Sequence, residues 1–433
     1  MKGVLSTDGA LAERQAALRI GIEELIHEYF ATVPPMPAAS LPLAVPLYGA
    51  DEVMAALDVL LEQRVTMGDR VREFEGAFAE FIGTRHAIMV NSGSSANLLA
   101  LSVLSSERLP GRLRAGDEVI VPAVTWPTTV SPVLQLGCVP VIVDVDETTL
   151  NLDQDSLEAA LSPRTRAIFA VHLLGNPIDM PRLMAFAKKH DLLVIEDTCE
   201  SLGSSSASRR VGSFGEFGTF SFYFSHHMTT IEGGMLVTED DALADLARSM
   251  RAHGWTRDLP AEERRAFEEA NPAVDARFLF VNLGYNVRPT EMQAAFGLVQ
   301  LRRLNEFNAR RRANAQFLLD ALRELDLPIH LVNEQGGGRS TWFGFALLTD
   351  GLETRIALSQ HLESRGIETR PIVAGNLAAQ PAFRSSLHRT VGDLPAATRI
   401  GERGLFFGNH PSLTQEHLSI VVDAFREFFD GRP

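Results

Sequence analysis

Lysine is nearly missing from this chain. Of its 40 lysines and arginines only Lys2, Lys188 and Lys189 are lysine, so chemistry that requires an amine to form an imine has three places to occur. Cysteine is scarcer still: Cys138 and Cys199 stand alone, too few within one chain for a disulfide framework, a four-cysteine zinc site or an all-thiolate iron–sulfur cluster. A reducing compartment fits that usage. Positive surplus is lacking too: 40 basic against 55 acidic side chains leave a formal charge of −15. That balance disfavours non-specific binding to nucleic-acid phosphates or an anionic membrane, while leaving room for local basic pockets. No apolar run approaches the roughly 18–20 residues that span a bilayer. The N-terminus shows no signal-peptide core, because Leu11 to Phe30 is interrupted by Glu13, Arg14, Arg19, Glu23, Glu24 and Glu28. Its apolar residues instead fall at helical spacing, predicting an amphipathic surface helix. The expectation is a cytoplasmic protein without membrane or nucleic-acid partners.

Short apolar runs then alternate with helical patterns. His86–Val90, Glu118–Val121, Val139–Val145, Ala167–Val171 and Leu192–Glu196 read as strands. Helices are expected over 52–63, 70–81, 97–105, 156–161 and 180–190. The alternation predicts an α/β fold with a mainly parallel sheet covered by helices, whose functional groups gather at strand C-terminal ends. Arg251 to Arg277 is charge-rich and reads as an irregular or helical excursion. From Met292 to Leu325 the pattern is one or two long helices, with Arg302, Arg303 and Arg310 to Arg312 on solvated faces. Phe343–Leu348, a helix over 353–365 and a last helix over 415–429 suggest a smaller α/β domain. The expected division is a helical extension over 1–45, a large domain over 46–300 and a smaller one over 301–433.

Four segments at predicted strand ends carry chemistry. Ser92-Gly-Ser-Ser-Ala-Asn97 has the small residues that let backbone N–H groups meet a phosphate at a helix N-terminus, although a simple helix cap uses the same residues. Val194-Ile-Glu-Asp197 delivers a carboxylate that either holds a heteroaromatic nitrogen protonated or caps the following turn. Gly218 to Gly234 contains Phe220, Phe222 and Phe224 at strand spacing, Ser221 and Ser225 on the opposite face, then His226 and His227 before a glycine pair. Adjacent histidines are also common on surfaces, and they rarely aim both rings at one metal ion. Leu283-Gly-Tyr-Asn286 leads into Pro289, Thr290 and Glu291, which read as a helix start; that leaves Tyr285-Asn286 without a structural reason.

Together, in this order and spacing, these segments resemble the DegT/DnrJ/EryC1/StrS family of pyridoxal phosphate enzymes that modify sugars, from about Pro46 to the C-terminus. The resemblance implies the fold-type I architecture: a seven-stranded-type, mainly parallel sheet in a large cofactor-binding domain plus the smaller C-terminal domain. It implies that Ser94, Ser95 and Ser221 hold the cofactor phosphate, that Trp126 stacks on the ring and that Asp197 pairs with the ring nitrogen. Asn286 would reach the phosphate of a neighbouring subunit, making a homodimer with shared active sites.

One position departs from the family's aminotransferases. Where they carry the lysine that forms an imine with the cofactor, this chain has His226, and none of its three lysines falls in that segment. Imidazole forms no imine, but its ordinary pKa near 6.5 suits proton transfer. Histidine in that place resembles the family's 3-dehydratases of deoxysugar biosynthesis. So do Ser225-His226-His227, Glu232-Gly-Gly234, Thr369-Arg-Pro371 and Gly375-Asn-Leu-Ala-Ala-Gln-Pro381. One type of these enzymes carries a [2Fe–2S] cluster and works with a reductase; the other has no cluster and takes its amine from glutamate, acting on GDP-4-keto-6-deoxymannose. The cluster type places cysteines after a Gly-Trp-Thr-Arg-like segment. Here Trp255-Thr-Arg-Asp-Leu-Pro260 is followed by none, which implies the cluster-free type. The expected cofactor is therefore pyridoxamine 5′-phosphate alternating with pyridoxal 5′-phosphate, with a nucleotide sugar and L-glutamate as partners and His226 as the base. His227, Arg370 and Asn376 are further candidates for substrate contact, with a surface role open for the last two.

Overall fold

The structure is a computed structural model that describes residues 4–431; Lys2 lies outside them. Seven strands form the core of the large sheet: β1 (His86–Val90), β2 (Glu118–Pro122), β3 (Val139–Val143), β4 (Thr165–Val171), β5 (Leu193–Asp197), β6 (Phe217–Ser221) and β7 (Gly234–Thr238). Their order across the sheet is β1-β7-β6-β5-β4-β2-β3, with Arg389–Thr390 added beyond β3. All run the same way except β7, which is antiparallel to both β1 and β6.

The interior strands are apolar on both faces because helices cover both. Val119, Val121 and Phe169 face one side, Ile120, Ile168 and Ala170 the other, and all six are fully buried. Each of the valine, isoleucine and phenylalanine side chains among them contributes about 1.5–3 kcal/mol by leaving water. Pro140, which cannot donate to a ladder, is accommodated in β3, whose outer edge is paired only at Val141 and Ile142.

The 34-residue helix Glu291–Glu324 is continuous and runs through position 300, where the sequence suggested a division. Beyond it lies an antiparallel four-stranded sheet, ordered Ile329–Leu331, Gly344–Thr349, Gly404–Gly408 and Thr369–Pro371. Leu318, Leu322, Phe345, Leu358, Phe407 and Phe425 share a core there. The N-terminal helix is Val4–Ala31. Arg19 clamps it to Asp58 of helix Ala50–Glu62 through two 2.6 Å bonds, while Leu11, Leu18, Leu25 and Tyr29 stay more than half exposed. Among the described residues no helix is long and apolar enough to cross a membrane.

Three expectations are corrected. The helix after β1 starts at Gly93 rather than Asn97, since Ser92 supplies the cap and small residues tolerate the first turn. The strand expected to reach Phe224 ends at Ser221: Phe222 still bonds the Gly233 carbonyl and is buried, but the chain then turns and leaves Phe224 40% exposed. Finally, Arg302, Arg303 and Arg310 are solvated as expected, Arg303 while pairing with Glu52 at 2.9 Å, but Arg312 is half-buried and Arg311 is only 2% exposed.

Candidate active site

β1, β2, β5 and β6 end on one edge of the sheet, and the loops leaving them bring the candidate residues together. Asp197 closes β5 with its side chain 6% exposed. Its Oδ2 accepts from Asn97 Nδ2 and Thr129 Oγ1, both at 2.8 Å, and its Oδ1 from the Cys199 N–H at 3.2 Å. The Asn97 amide is itself oriented, because Thr219 Oγ1 donates to its Oδ1 at 2.6 Å while its Nδ2 also reaches the Thr128 carbonyl. Thr125 and Thr129 hydroxyls are 2.8 Å apart. A buried carboxylate held this way is fixed in direction, and with one donor on Oδ1 against two on Oδ2 it keeps acceptor capacity for a further N–H.

Its neighbour Glu196 points to the opposite face, as strand alternation requires. There it accepts the N–H groups of Gly212, Phe214 and Gly215 and faces His172 Nε2 at 3.2 Å. Because His172 Nδ1 accepts the Ile178 N–H, its proton sits on Nε2. Glu196 thus braces the strand end behind Asp197.

The helix Gly93–Leu104 begins against the end of β6. A Cβ at Gly93 would lie 2.5 Å from Ser221 Cβ and 3.0 Å from Cys199 Sγ, so only glycine permits this approach. Ser92 caps the helix by accepting the Ser95 N–H at 3.1 Å; Ser94 is exposed and Ser95 half-buried. Here the dipole and the N–H groups that lack intrahelical partners favour an anion. Trp126 caps the helix after β2 and is 59% exposed, an indole left open above the sheet edge.

His226 and His227 lie in the β6–β7 connection. The ring of Phe343, from the smaller sheet's side, packs 5.3 Å from His226 and 5.6 Å from His227. His226 is half-buried, with Nδ1 lacking any hydrogen-bond partner; His227 is fully buried, and neither of its nitrogens meets a partner at hydrogen-bond geometry. Burial first, and then the Arg311 charge, lower the His226 pKa to about 4. The same two causes in the same order push His227 well below its ordinary value; His226 and Arg312 add to this and the Thr341 backbone opposes it.

Glu200, which sequence reasoning passed over, sits beside Asp197. Burial, aided by the Asp197 charge and opposed by the Leu174 N–H that its Oε2 accepts at 2.9 Å, raises its pKa to about 7. Asn97, Thr129 and Thr219 were also missed as a set. The signal was polar side chains placed within otherwise buried segments.

Other candidates lie apart in the single chain. Asn286 is exposed, its Oδ1 accepting from Arg288 at 2.9 Å, beside Leu283 at 95% exposure. Arg370 is engaged by Glu368 and the Thr369 carbonyl, which accounts for it as a surface charge. Asn376 caps the turn Leu377–Ala379 and reaches Thr398; through Leu377, whose N–H bonds the Ala123 carbonyl, that turn borders the Trp126 loop. Lys188 and Lys189 are exposed on helix Met180–His190, Lys189 paired with Glu158. Cys138 faces the Arg114 carbonyl with its thiol pushed up to about 11 by burial, and Cys199 borders Asp197 with its thiol raised well above the usual range.

A phosphate-ready helix start, a buried acceptor for a ring nitrogen and an open indole fit a pyridine cofactor, and the chain belongs to the DegT/DnrJ/EryC1/StrS aminotransferase family, whose model matches residues 46–426. Within it, the chain is 40% identical over 389 residues to a GDP-4-keto-6-deoxy-D-mannose 3-dehydratase of Escherichia coli O55:H7, covering 89% of this chain and 98% of that one. It is 40% identical over 394 residues to a dTDP-4-dehydro-2,6-dideoxy-D-glucose 3-dehydratase of Saccharopolyspora spinosa, covering 87% and 84%. A crystal structure of GDP-4-keto-6-deoxymannose-3-dehydratase with a trapped PLP-glutamate geminal diamine superposes with a TM-score of 0.82 at 37% identity, covering 90% of this chain and all of the other.

Proposed function

We propose that this protein is a pyridoxamine/pyridoxal phosphate-dependent 3-dehydratase of a nucleotide-linked 4-keto-6-deoxyhexose, with GDP-4-keto-6-deoxymannose as first-choice substrate and L-glutamate as amino donor. The observation that carries this reading is histidine, not lysine, at position 226, in a chain whose Asp197 is held as a buried acceptor beside a phosphate-ready helix start.

When bound, the cofactor supplies an amine that condenses with the sugar's C4 ketone and a ring that draws electrons from the adjoining carbons. The chain does the rest. Asp197, aimed by Asn97, Thr129 and the Cys199 N–H, holds the proton on the ring nitrogen. Ser94, Ser95 and Ser221 hold the phosphate at the helix start, Trp126 covers one face of the ring, and Asn286 of a second copy completes the phosphate site, so the working unit is a homodimer in the cytoplasm. His226 takes the proton from the cofactor's C4′ carbon, and the imidazolium so formed gives a proton to the departing C3 hydroxyl. The same ring moves the C4′ proton again when glutamate restores the amine. With no lysine in the pocket, no side-chain amine competes for the substrate-bearing carbon. Arg370 has its partners already and Asn376 borders the pocket, so of these two only Asn376 is kept as a substrate contact; His227 supports the base from behind.

The test is to incubate purified protein with pyridoxamine phosphate, glutamate and 4-keto-6-deoxy sugars linked to GDP, dTDP, CDP or UDP. Ammonia, 2-oxoglutarate and a 3-deoxy-4-keto sugar are expected, fastest with GDP. Absence of ammonia with every nucleotide sinks the reading. Turnover only with added NAD(P)H and an electron carrier would assign the protein to the reductase-coupled type.

A further inference from the structure

Arg311 is the anomaly of the molecule: an arginine 2% exposed, with no carboxylate paired to it among the described residues. Its Nη1 donates to the Phe343 carbonyl at 3.1 Å and to the Asn409 carbonyl, and its Nε has no partner. Burial alone brings its pKa down to about 9, so it remains a cation at neutral pH. An uncompensated buried charge is costly and calls for a reason. The surroundings supply one. Asn409 Nδ2 donates back to the Arg311 and Trp342 carbonyls, and Trp342 holds a left-handed φ of 49° between Thr341 and Phe343. Arg311 therefore ties helix Glu291–Glu324 to the segment that presses the Phe343 ring onto both histidines.

We propose that Arg311 is a positioning residue for the reaction, fixing Phe343 against the histidine loop and placing a buried positive charge behind His226. The inference rests on His226 being the base. Of the groups around that ring, Tyr223 and His227 belong to its own loop, Phe343 is apolar, and Arg311 is the one charge acting on it. Further back, Arg312 acts on His227, with Arg339 and Glu334 acting on Arg312, while His410 lies within the field of Arg311 and is itself lowered to about 3. No carboxylate shields His226, so the guanidinium charge reaches it through a low-dielectric interior.

The experiment uses cofactor-free protein: NMR titration of the His226 ring proton, assigned with His226→Asn, in wild type, Arg311→Lys and Arg311→Met. Wild type is expected to titrate near pH 4. Arg311→Lys keeps the charge and should stay low, whereas Arg311→Met should rise by at least about one unit toward the ordinary 6.5. The acidic limb of kcat should rise with it in the loaded enzyme. A wild-type His226 that titrates near its ordinary value overturns the proposal even where Arg311→Met fails to fold, as does a folded Arg311→Met protein whose His226 titration does not move. Dehydration by His226→Asn is a separate result, which overturns the catalytic reading and so the role assigned to Arg311 in it.

Discussion

The two sides of the candidate site follow opposite rules. Around Asp197 the donors converge: Asn97, Thr129 and the Cys199 N–H point at the carboxylate, and Thr219 points at Asn97. Around His226 and His227 the polar atoms are left over, and an unpaired cation stands behind them. The difference matches the two tasks proposed for these groups. A group that must keep one charge state is best served by fixed dipoles that need no rearrangement. A group that must gain and lose a proton is hindered by partners that lock its protonation state, and an imidazole free of them keeps a lone pair available.

The sharpest way to break this contrast is His226→Asn, which keeps the size and removes the base; dehydration, followed as ammonia release, is expected to fall by about 10²–10⁴-fold. His226→Lys should lose dehydration as well and gain some amino-sugar formation. On the other side, Asp197→Asn replaces a carboxylate by a neutral amide within the same donors. Loss of one charge-assisted bond, worth about 1.5–3 kcal/mol, should weaken pyridoxamine phosphate binding at least about tenfold, read by fluorescence titration.

A smaller effect comes from pH. Folded His226, at about 4, binds fewer protons than the unfolded chain, whose histidine titrates near 6.5. Its contribution to stability is therefore full above that upper value and is lost as pH falls toward 4. Glu200, raised to about 7, acts the other way, losing stability as pH rises from the ordinary glutamate range through 7. The clean readout is the Tm difference between wild type and His226→Asn, which should shift against wild type as pH drops from 6.5 to 4; a constant difference would contradict a depressed His226. Smallest of all, replacing Lys188 and Lys189 by arginine should leave dehydration unchanged and stability within about 0.5 kcal/mol, leaving no lysine among the described residues.

What could be read in advance divides along similar lines. β1 and the helix Met180–His190 coincide with their expected spans, because buried strands and amphipathic helices announce themselves in composition and period. Asp197 was visible because it closes an apolar run, whereas Ser221 stood inside the longer expected strand and was singled out by the family resemblance. Arg311 was not: an Arg310–Arg312 run looks solvated, and the bonds that bury it come from Phe343 and Asn409, far along the chain. A clue existed in the spacing, since Leu304, Phe307, Arg311, Ala315 and Leu318 fall on one face of a helix and all are buried. Glu200 was hidden for a related reason, as its pKa depends on Asp197 and Leu174 being brought beside it by the fold.

The reversed strand β7 has a consequence for how the pocket is assembled. Because β6 and β7 pair as an antiparallel hairpin, with Ser221 opposite Gly234, Ser221 and the histidine loop are shaped by contacts between near neighbours in the chain. Asp197 takes its orientation from Asn97 and Thr129 on separate crossovers, which only pairing between strands distant in the chain brings together. Local pairing forms before non-local pairing, so the histidine side is expected to take shape first during refolding, with amides of β6 and β7 gaining protection from hydrogen exchange ahead of those in β2 and β4.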